Sequence, residues 1–203
     1  MLVVITSEDF QKNEISSIKQ IIDSGLEFLH VRKPKASRKQ MQMWLEEFNT
    51  VYRQKMMLHQ HHDLAVDLDC LGVHFKEKDR KSEGTIFKEH LLKLQKSGSK
   101  ISTGFHDLET LREQAALYDY YFLSPVFTSI SKKGYTGKSF EVLDFDKQVI
   151  ALGGITSETI NLAKQKGFDG VAVLGAVWLA ANPFNSFLKI KNAYEKSYKC
   201  TGS

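Results

Sequence analysis

The sequence predicts an α/β fold, a (β/α)8 TIM barrel built by residues 1–203 as a single domain. Short apolar segments alternate about eight times with amphipathic helical segments, and the composition does not shift along the 203 residues. Sustained strand–helix repetition at this length favours a closed barrel. An open, doubly wound sheet is the alternative, but its first turn is usually glycine-rich, whereas Ser7-Glu8-Asp9-Phe10 follows the first apolar segment.

Eight apolar segments are the predicted strands. Most of them are continuously apolar instead of alternating, which is typical of parallel strands buried on both faces. They comprise residues 2–6, 26–32, 55–59, 71–75, 100–105, 120–127, 148–153 and 170–174.

Capping signals mark the helices between these strands. Ser37, with Gln40 three residues later, forms a capping box before an amphipathic segment. The connection after Asp63 has room only for a short helix. The other signals predict helices at residues 108–117 after the N-cap Asp107, at residues 156–166 before Gly167, and after Asn182-Pro183.

The charge pattern excludes several function classes. Lys and Arg outnumber Asp and Glu by 28 to 24, with both signs interleaved, whereas a nucleic-acid interface needs clustered basic residues. The first residues lack the basic segment of a secretory signal, and no stretch approaches the roughly 18 apolar residues of a membrane span. We therefore expect a cytoplasmic protein that binds neither nucleic acid nor membrane, with free thiols at Cys70 and Cys200.

Two glycine-containing loops indicate a phosphate site. Gly153-Gly154 follows the seventh predicted strand, and Leu174-Gly175 follows the eighth. In such barrels phosphate commonly binds at these two loops, where glycines let backbone N–H groups approach an anion. Each loop alone is equally well explained as a tight turn, but the two together favour binding.

Two further strand ends carry polar side chains. The second strand ends in His30-Val31-Arg32-Lys33-Pro34-Lys35, a knot of positive charge at the rim that suits an anionic substrate. The sixth ends in a hydroxyl-rich loop, residues 124–134, that contains Lys132 and can close over phosphates. The alternatives are a solvated lysine cluster and an ordinary flexible loop.

The histidines divide into three groups. His59, His61 and His62 with Asp79 suggest a metal site, but hydrogen-bonding histidines at the rim are favoured because no second ligand cluster completes a tetrahedral set. His74 is expected to be a hydrogen-bonded structural residue. His106 ends the fifth strand, where a barrel places catalytic groups, so its imidazole can shuttle protons.

In the order of these motifs the sequence resembles the thiamine phosphate synthase family, including its TenI-like thiazole tautomerase branch. The family pattern Gln/His-Leu/Ile-Arg-Glu-Lys corresponds to residues 30–34, and Asn-Asp-Arg-x-Asp-Leu-Ala corresponds to residues 59–65. Further motifs correspond to residues 72–79, 104–106, 124–132, 153–155 and 174–177.

The resemblance implies an enzyme that couples an aminopyrimidine diphosphate to a thiazole phosphate and releases pyrophosphate, with Mg2+ holding the leaving group. The resemblance leaves open whether the protein forms a homodimer. The implied catalytic residues are His106, Arg32 and Lys132, and the implied metal ligand is Asp79. The implied substrate-binding residues are His30, His59, Ser129, Ser131, Gly153, Gly154, Leu174 and Gly175.

Several departures from the family pattern keep the exact reaction open. His59-Gln60 replaces Asn-Asp, Pro34 replaces the motif lysine, and Gly104 replaces a serine. These changes weaken the diphosphate half more than the thiazole phosphate half. The alternatives are a thiazole tautomerase, which acts on thiazole carboxylate phosphate and needs no diphosphate, and a barrel that binds thiazole phosphate without catalysis.

Overall fold

The computed structural model describes residues 1–80, 85–114, 118–128 and 136–199. Its eight parallel strands follow one another in chain order around a closed barrel, so the predicted (β/α)8 fold is confirmed. The strands are β1 Leu2–Ile5, β2 Phe28–Val31, β3 Met56–Leu58, β4 Gly72–Phe75, β5 Lys100–Phe105, β6 Tyr120–Leu123, β7 Val149–Leu152 and β8 Gly170–Val173.

Helices connect most successive strands, but none lies in the described residues between β6 and β7. None of the helices in the described residues is long and apolar enough to cross a membrane. They are α1 Glu14–Asp23, α2 Arg38–Glu46, α3 Thr50–Arg53, α4 Asp63–Asp67, α5 Glu77–Arg80, α6 Thr85–Lys96, α7 Leu108–Gln114, α8 Ile160–Gln165, α9 Gly175–Trp178 and α10 Pro183–Tyr198.

The chain forms two compact units. One comprises residues 5–104 and contains β2 to β4 with most of β5; there, His30 pairs in register with Met57, and His74 pairs with Ser102. The other comprises residues 1–4 and 105–203 and contains β6 to β8, where Ile150 pairs with Gly170.

Three strands are buried along their whole length. All four residues are buried in β4, in β6 and in β8. This confirms the prediction of strands covered on both faces, which is the environment of a parallel sheet flanked by helices.

The capping predictions are confirmed at three helices. Ser37 and Gln40 form the reciprocal capping box of α2, because each side chain bonds to the other's backbone N–H. Asp107 accepts a hydrogen bond from the N–H of Thr110, and Asn182 accepts one from the N–H of Asn185. The helix after the loop at His62 is short, as expected, with five residues.

Two predicted boundaries are wrong by four residues, whereas several others differ by only one or two. Helix α8 begins at Ile160 instead of residue 156, because the hydroxyl of Thr159 accepts from the N–H of Thr156 and donates to the carbonyl of Gly154, holding a turn. The sixth strand ends at Leu123 instead of residue 127, where the chain turns at a cis Ser124–Pro125 bond.

Candidate active site

The loop after β7 requires its two glycines. Gly153 and Gly154 have φ angles of 97° and 64°, a left-handed region that favours glycine. A Cβ atom on Gly154 would lie 2.5 Å from the carbonyl oxygen of Thr128, and one on Gly153 would lie 2.9 Å from the Cα of Pro125. The backbone of this loop therefore lies directly against the segment that follows β6.

Backbone hydrogen bonds join these two segments. The N–H of Val126 donates to the carbonyl of Leu152, and the N–H of Phe127 donates to the carbonyl of Gly153, both at 3.0 Å. The first residues of the loop after β6 are consequently held beside the glycine loop. Ser129, Ser131 and Lys132, predicted to bind phosphate from this same loop, lie outside the described residues.

The loop after β8 presents a helix start. Leu174 precedes α9, whose first residue is Gly175. The first N–H groups of a helix have no partner within that helix, and they form its positive end. Since β7 and β8 are paired neighbours, both predicted phosphate loops lie at the carboxyl ends of adjacent strands.

His106 lies directly after β5 and is exposed. Its Nδ1 lies 3.0 Å from the carbonyl oxygen of Ser124, and the Ser124 hydroxyl is 3.3 Å from the same nitrogen. A carbonyl oxygen only accepts, so Nδ1 is the donor in this contact. Lys138 donates to the carbonyl of His106 at 2.8 Å and fixes the backbone there.

The prediction of a knot of positive charge at the rim after β2 is wrong. Arg32, with a side chain 27% exposed, forms an ion pair with Glu8. Lys35 is exposed and pairs with Asp9 at 3.3 Å. Each cation thus has a carboxylate partner, and Lys33 does not reach the surface.

Lys33 instead forms a buried ion pair. Its Nζ lies 2.6 Å from Glu14 Oε1, and both side chains are 1% exposed. The same ammonium donates to the carbonyls of Ser7 and Asp9 at 2.8 and 3.0 Å. Burial lowers the pKa of Lys33 and raises that of Glu14, while the attraction between the two opposes both shifts.

Three histidines meet inside the unit of residues 5–104. His30 in β2, His59 after β3 and His74 in β4 are all buried, so the expectation of a rim position is wrong for His59. His30 Nδ1 lies 2.9 Å from His59 Nε2, and the rings of His59 and His74 stack at 4.2 Å. His74 Nδ1 lies 2.9 Å from Ser102 Oγ, which confirms the prediction of a hydrogen-bonded His74.

These three imidazoles are neutral near pH 7. Burial, followed by the charges of neighbouring groups, lowers the pKa of each ring. For His74 the pKa falls to about 3. The cluster therefore offers uncharged ring nitrogens.

The described residues do not fit a Mg2+ site. Asp79 accepts a hydrogen bond from the N–H of Lys76 at 3.2 Å. Gln60 donates to the carbonyl of Lys33, and its buried Oε1, a neutral oxygen, has no partner among the described residues. Within this part of the chain, the one group of three or more metal-ligating side chains is the histidine cluster, whereas Mg2+ prefers carboxylate and water oxygens.

The sequence did not reveal the ion-pair and hydrogen-bond partners of the predicted residues. Glu8 and Glu14 neutralise Arg32 and Lys33, and Ser102 and Ser124 bind the rings of His74 and His106. The one available signal was a polar residue inside a predicted apolar strand, as at Ser102 in β5. The two glutamates stand in or before an ordinary amphipathic helix, and nothing in the local pattern distinguishes them.

The matching family model and the similar sequences indicate the same family. The family model described as thiamine monophosphate synthase matches residues 1–177. The thiamine-phosphate synthase of Methanobrevibacter smithii is 24% identical over 193 residues, covering 90% of this chain and 88% of that protein. The thiamine-phosphate synthase of Bacillus cereus strain B4264 is 25% identical over 216 residues, covering 96% and 92%.

Solved structures support the fold. Thiamine phosphate pyrophosphorylase from Pyrococcus furiosus is similar with a TM-score of 0.75 and 21% identity, covering 97% of this chain and 96% of that one. The protein of the same description from Bacteroides thetaiotaomicron has a TM-score of 0.72 and 21% identity, covering 100% and 99%. With the family model spanning most of its length, the chain belongs to the thiamine monophosphate synthase family.

Proposed function

We propose that this protein is a thiamine-phosphate synthase, a transferase of thiamine biosynthesis that couples an aminopyrimidine diphosphate to a thiazole phosphate. The observation that supports this most directly is the family match over residues 1–177, which includes both glycine loops. Two relatives of nearly the same length bear the name thiamine-phosphate synthase.

The proposed thiazole phosphate site uses the loops after β7 and β8. The φ angles of Gly153 and Gly154 and the start of α9 at Gly175 expose backbone to an anion at two neighbouring strand ends. Leu174, the N-cap residue of α9, is proposed to bind the same phosphate. Ser129 and Ser131 are proposed to add hydroxyl donors to the same phosphate.

The proposed diphosphate contacts come from Arg32 and Lys132. Departure of pyrophosphate leaves a cationic pyrimidine, so positive groups near the leaving oxygens stabilise the charge that develops on them. Arg32 is held at the end of β2 by Glu8 and by the Thr6 hydroxyl, which accepts from its backbone N–H at 2.9 Å. His30 and His59 are proposed to contact the pyrimidine, whose ring is uncharged in the substrate, as neutral hydrogen-bonding groups.

A second candidate, thiazole tautomerase, is favoured by one specific observation. The carbonyl of Ser124 contacts Nδ1 of His106 and so orients an exposed imidazole, a common general acid–base group, at the end of β5. Moving a proton on a thiazole ring needs such a base and needs no diphosphate. The absence of a fitting Mg2+ ligand set among the described residues agrees with this candidate.

The experiment that tests the synthase proposal measures pyrophosphate release by the full chain. We expect release to require both the aminopyrimidine diphosphate and the thiazole phosphate, because the ring nitrogen of the thiazole displaces the leaving group. Equal release without the thiazole phosphate would mean simple hydrolysis and would contradict the proposal. No release at any divalent cation concentration would also contradict it.

A further inference from the structure

The three buried histidines of residues 5–104 form a compact set of possible metal ligands. One ring nitrogen from each of His30, His59 and His74 lies within 4.8 Å of the other two. The three residues come from three consecutive strands or strand ends, β2, β3 and β4, which are paired in parallel. The backbone therefore holds the rings together independently of any flexible loop.

The surroundings of the cluster resemble those of a ligand set. Histidines that bind metals usually give their other ring nitrogen to a hydrogen-bond partner, which fixes the tautomer and the ring orientation. His74 has such a partner in Ser102, at 2.9 Å and buried.

The geometry points to a transition-metal site at His30, His59 and His74, and we propose Zn2+ as the ion it takes. Three imidazoles with a fourth position left to solvent or to a bound ligand are a common zinc ligand set. Imidazole nitrogen suits borderline ions such as Zn2+ and Co2+, whereas Mg2+ and Ca2+ prefer oxygen. Metal binding would replace the hydrogen bond between His30 Nδ1 and His59 Nε2, and each imidazole would then keep its single proton on the nitrogen that faces away from the metal.

Neighbouring charge limits the affinity without excluding the ion. Arg32 and Lys76 lie close enough to lower the pKa of His59 and His74, and they repel a dication as well. The ion pair of Arg32 with Glu8 offsets part of this repulsion. Both this proposal and the synthase proposal use His30 and His59, but the two are tested separately, since metal content is measured without substrates.

The test uses the full chain without a polyhistidine tag, equilibrated with Zn2+ and then dialysed, with metal content read by mass spectrometry. We expect one Zn2+ per chain in the wild type. His59→Asn and His30→Gln should each weaken binding by at least about tenfold; both introduce residues of the quoted family patterns, so they are mild changes. His61→Asn is the matched control, because His61 has a φ of 54°, which Asn tolerates, and bonds to the carbonyl of Ala36 outside the cluster.

Three outcomes would overturn the proposal. They are no Zn2+ in the wild type, unchanged Zn2+ in both cluster variants, and equal loss in His61→Asn. Should the cluster variants fail to fold by circular dichroism, X-ray absorption of the wild-type zinc complex decides instead. We expect three imidazole nitrogens at roughly 2.0–2.1 Å; a shell of oxygen or sulfur ligands would contradict the assignment.

Discussion

Individual buried polar residues distinguish this chain from an ordinary apolar barrel. Lys33 stands where the quoted family pattern has glutamate, and its charge is neutralised by Glu14. Both groups have lost nearly all contact with water. Such a pair contributes little when intact, but removing one partner leaves an uncompensated buried charge.

Breaking this pair should strongly destabilise the protein. We expect Glu14→Gln and Lys33→Met to lower the free energy of unfolding by about 3–5 kcal/mol each, measured by urea denaturation. Lys35→Met is the matched control, since Lys35 is 79% exposed in its pair with Asp9, and it should cost less than about 1 kcal/mol. Equal effects of Lys33→Met and Lys35→Met would refute a structural role for the buried pair.

Arg32 is the described cation best placed to bind the diphosphate. Arg32→Ala should weaken aminopyrimidine diphosphate binding by roughly 1.5–3 kcal/mol, the contribution of a charged hydrogen bond, as measured by calorimetry. Glu8→Gln should strengthen binding modestly, because it removes the carboxylate that competes for Arg32. If Arg32→Ala binds like the control Lys35→Ala, Arg32 is not a diphosphate ligand.

In loops and helices, the features that the sequence predicts correctly are those set by local backbone conformation. The glycine pattern and the capping residues were readable from the sequence because each depends on a local conformation. The late start of α8 was not readable, because it depends on the two hydrogen bonds of Thr159. The end of the sixth strand was readable, because Pro125 follows two residues later and a central strand does not accommodate proline.

The contact between the glycine loop and the segment after β6 can be tested by adding one methyl group. Gly154→Ala should cost about 1–2 kcal/mol for its positive φ and about 1–3 kcal/mol more for the clash with Thr128. Gly98→Ala is the matched control, because Gly98 has a φ of 77° with nothing within 4 Å of an added Cβ. Urea denaturation showing equal losses in both variants would contradict the close packing.

The phosphate-binding role of these loops makes a separate prediction. Thiazole phosphate should raise the melting temperature, and the dephosphorylated thiazole alcohol should raise it far less. Gly175→Asp should abolish the shift, because it adds bulk and negative charge at the start of α9, whereas Gly98→Asp should preserve it. Equal shifts of the melting temperature with thiazole phosphate and with the thiazole alcohol in scanning fluorimetry would contradict a phosphate site at these loops.

For the whole molecule, the closed barrel followed from eight apolar segments whose continuous pattern fits burial on both faces. The partners of the charged residues and of the histidines could not be predicted from such a pattern. Glu14 lies 19 positions before Lys33, and the three histidines lie in segments from residue 30 to residue 74. Pairings over such separations arise where neighbouring strands and their connecting helices pack together, so the sequence alone predicted a rim of positive charge where the structure has neutral pairs.

The most direct test incubates the full chain with aminopyrimidine diphosphate and thiazole phosphate, and separately with thiazole carboxylate phosphate, and identifies the products by mass spectrometry. We expect thiamine phosphate in the first incubation. Isomerised thiazole carboxylate phosphate as the sole product, lost by roughly 10²–10⁴-fold in His106→Asn, would contradict the synthase assignment and establish the tautomerase.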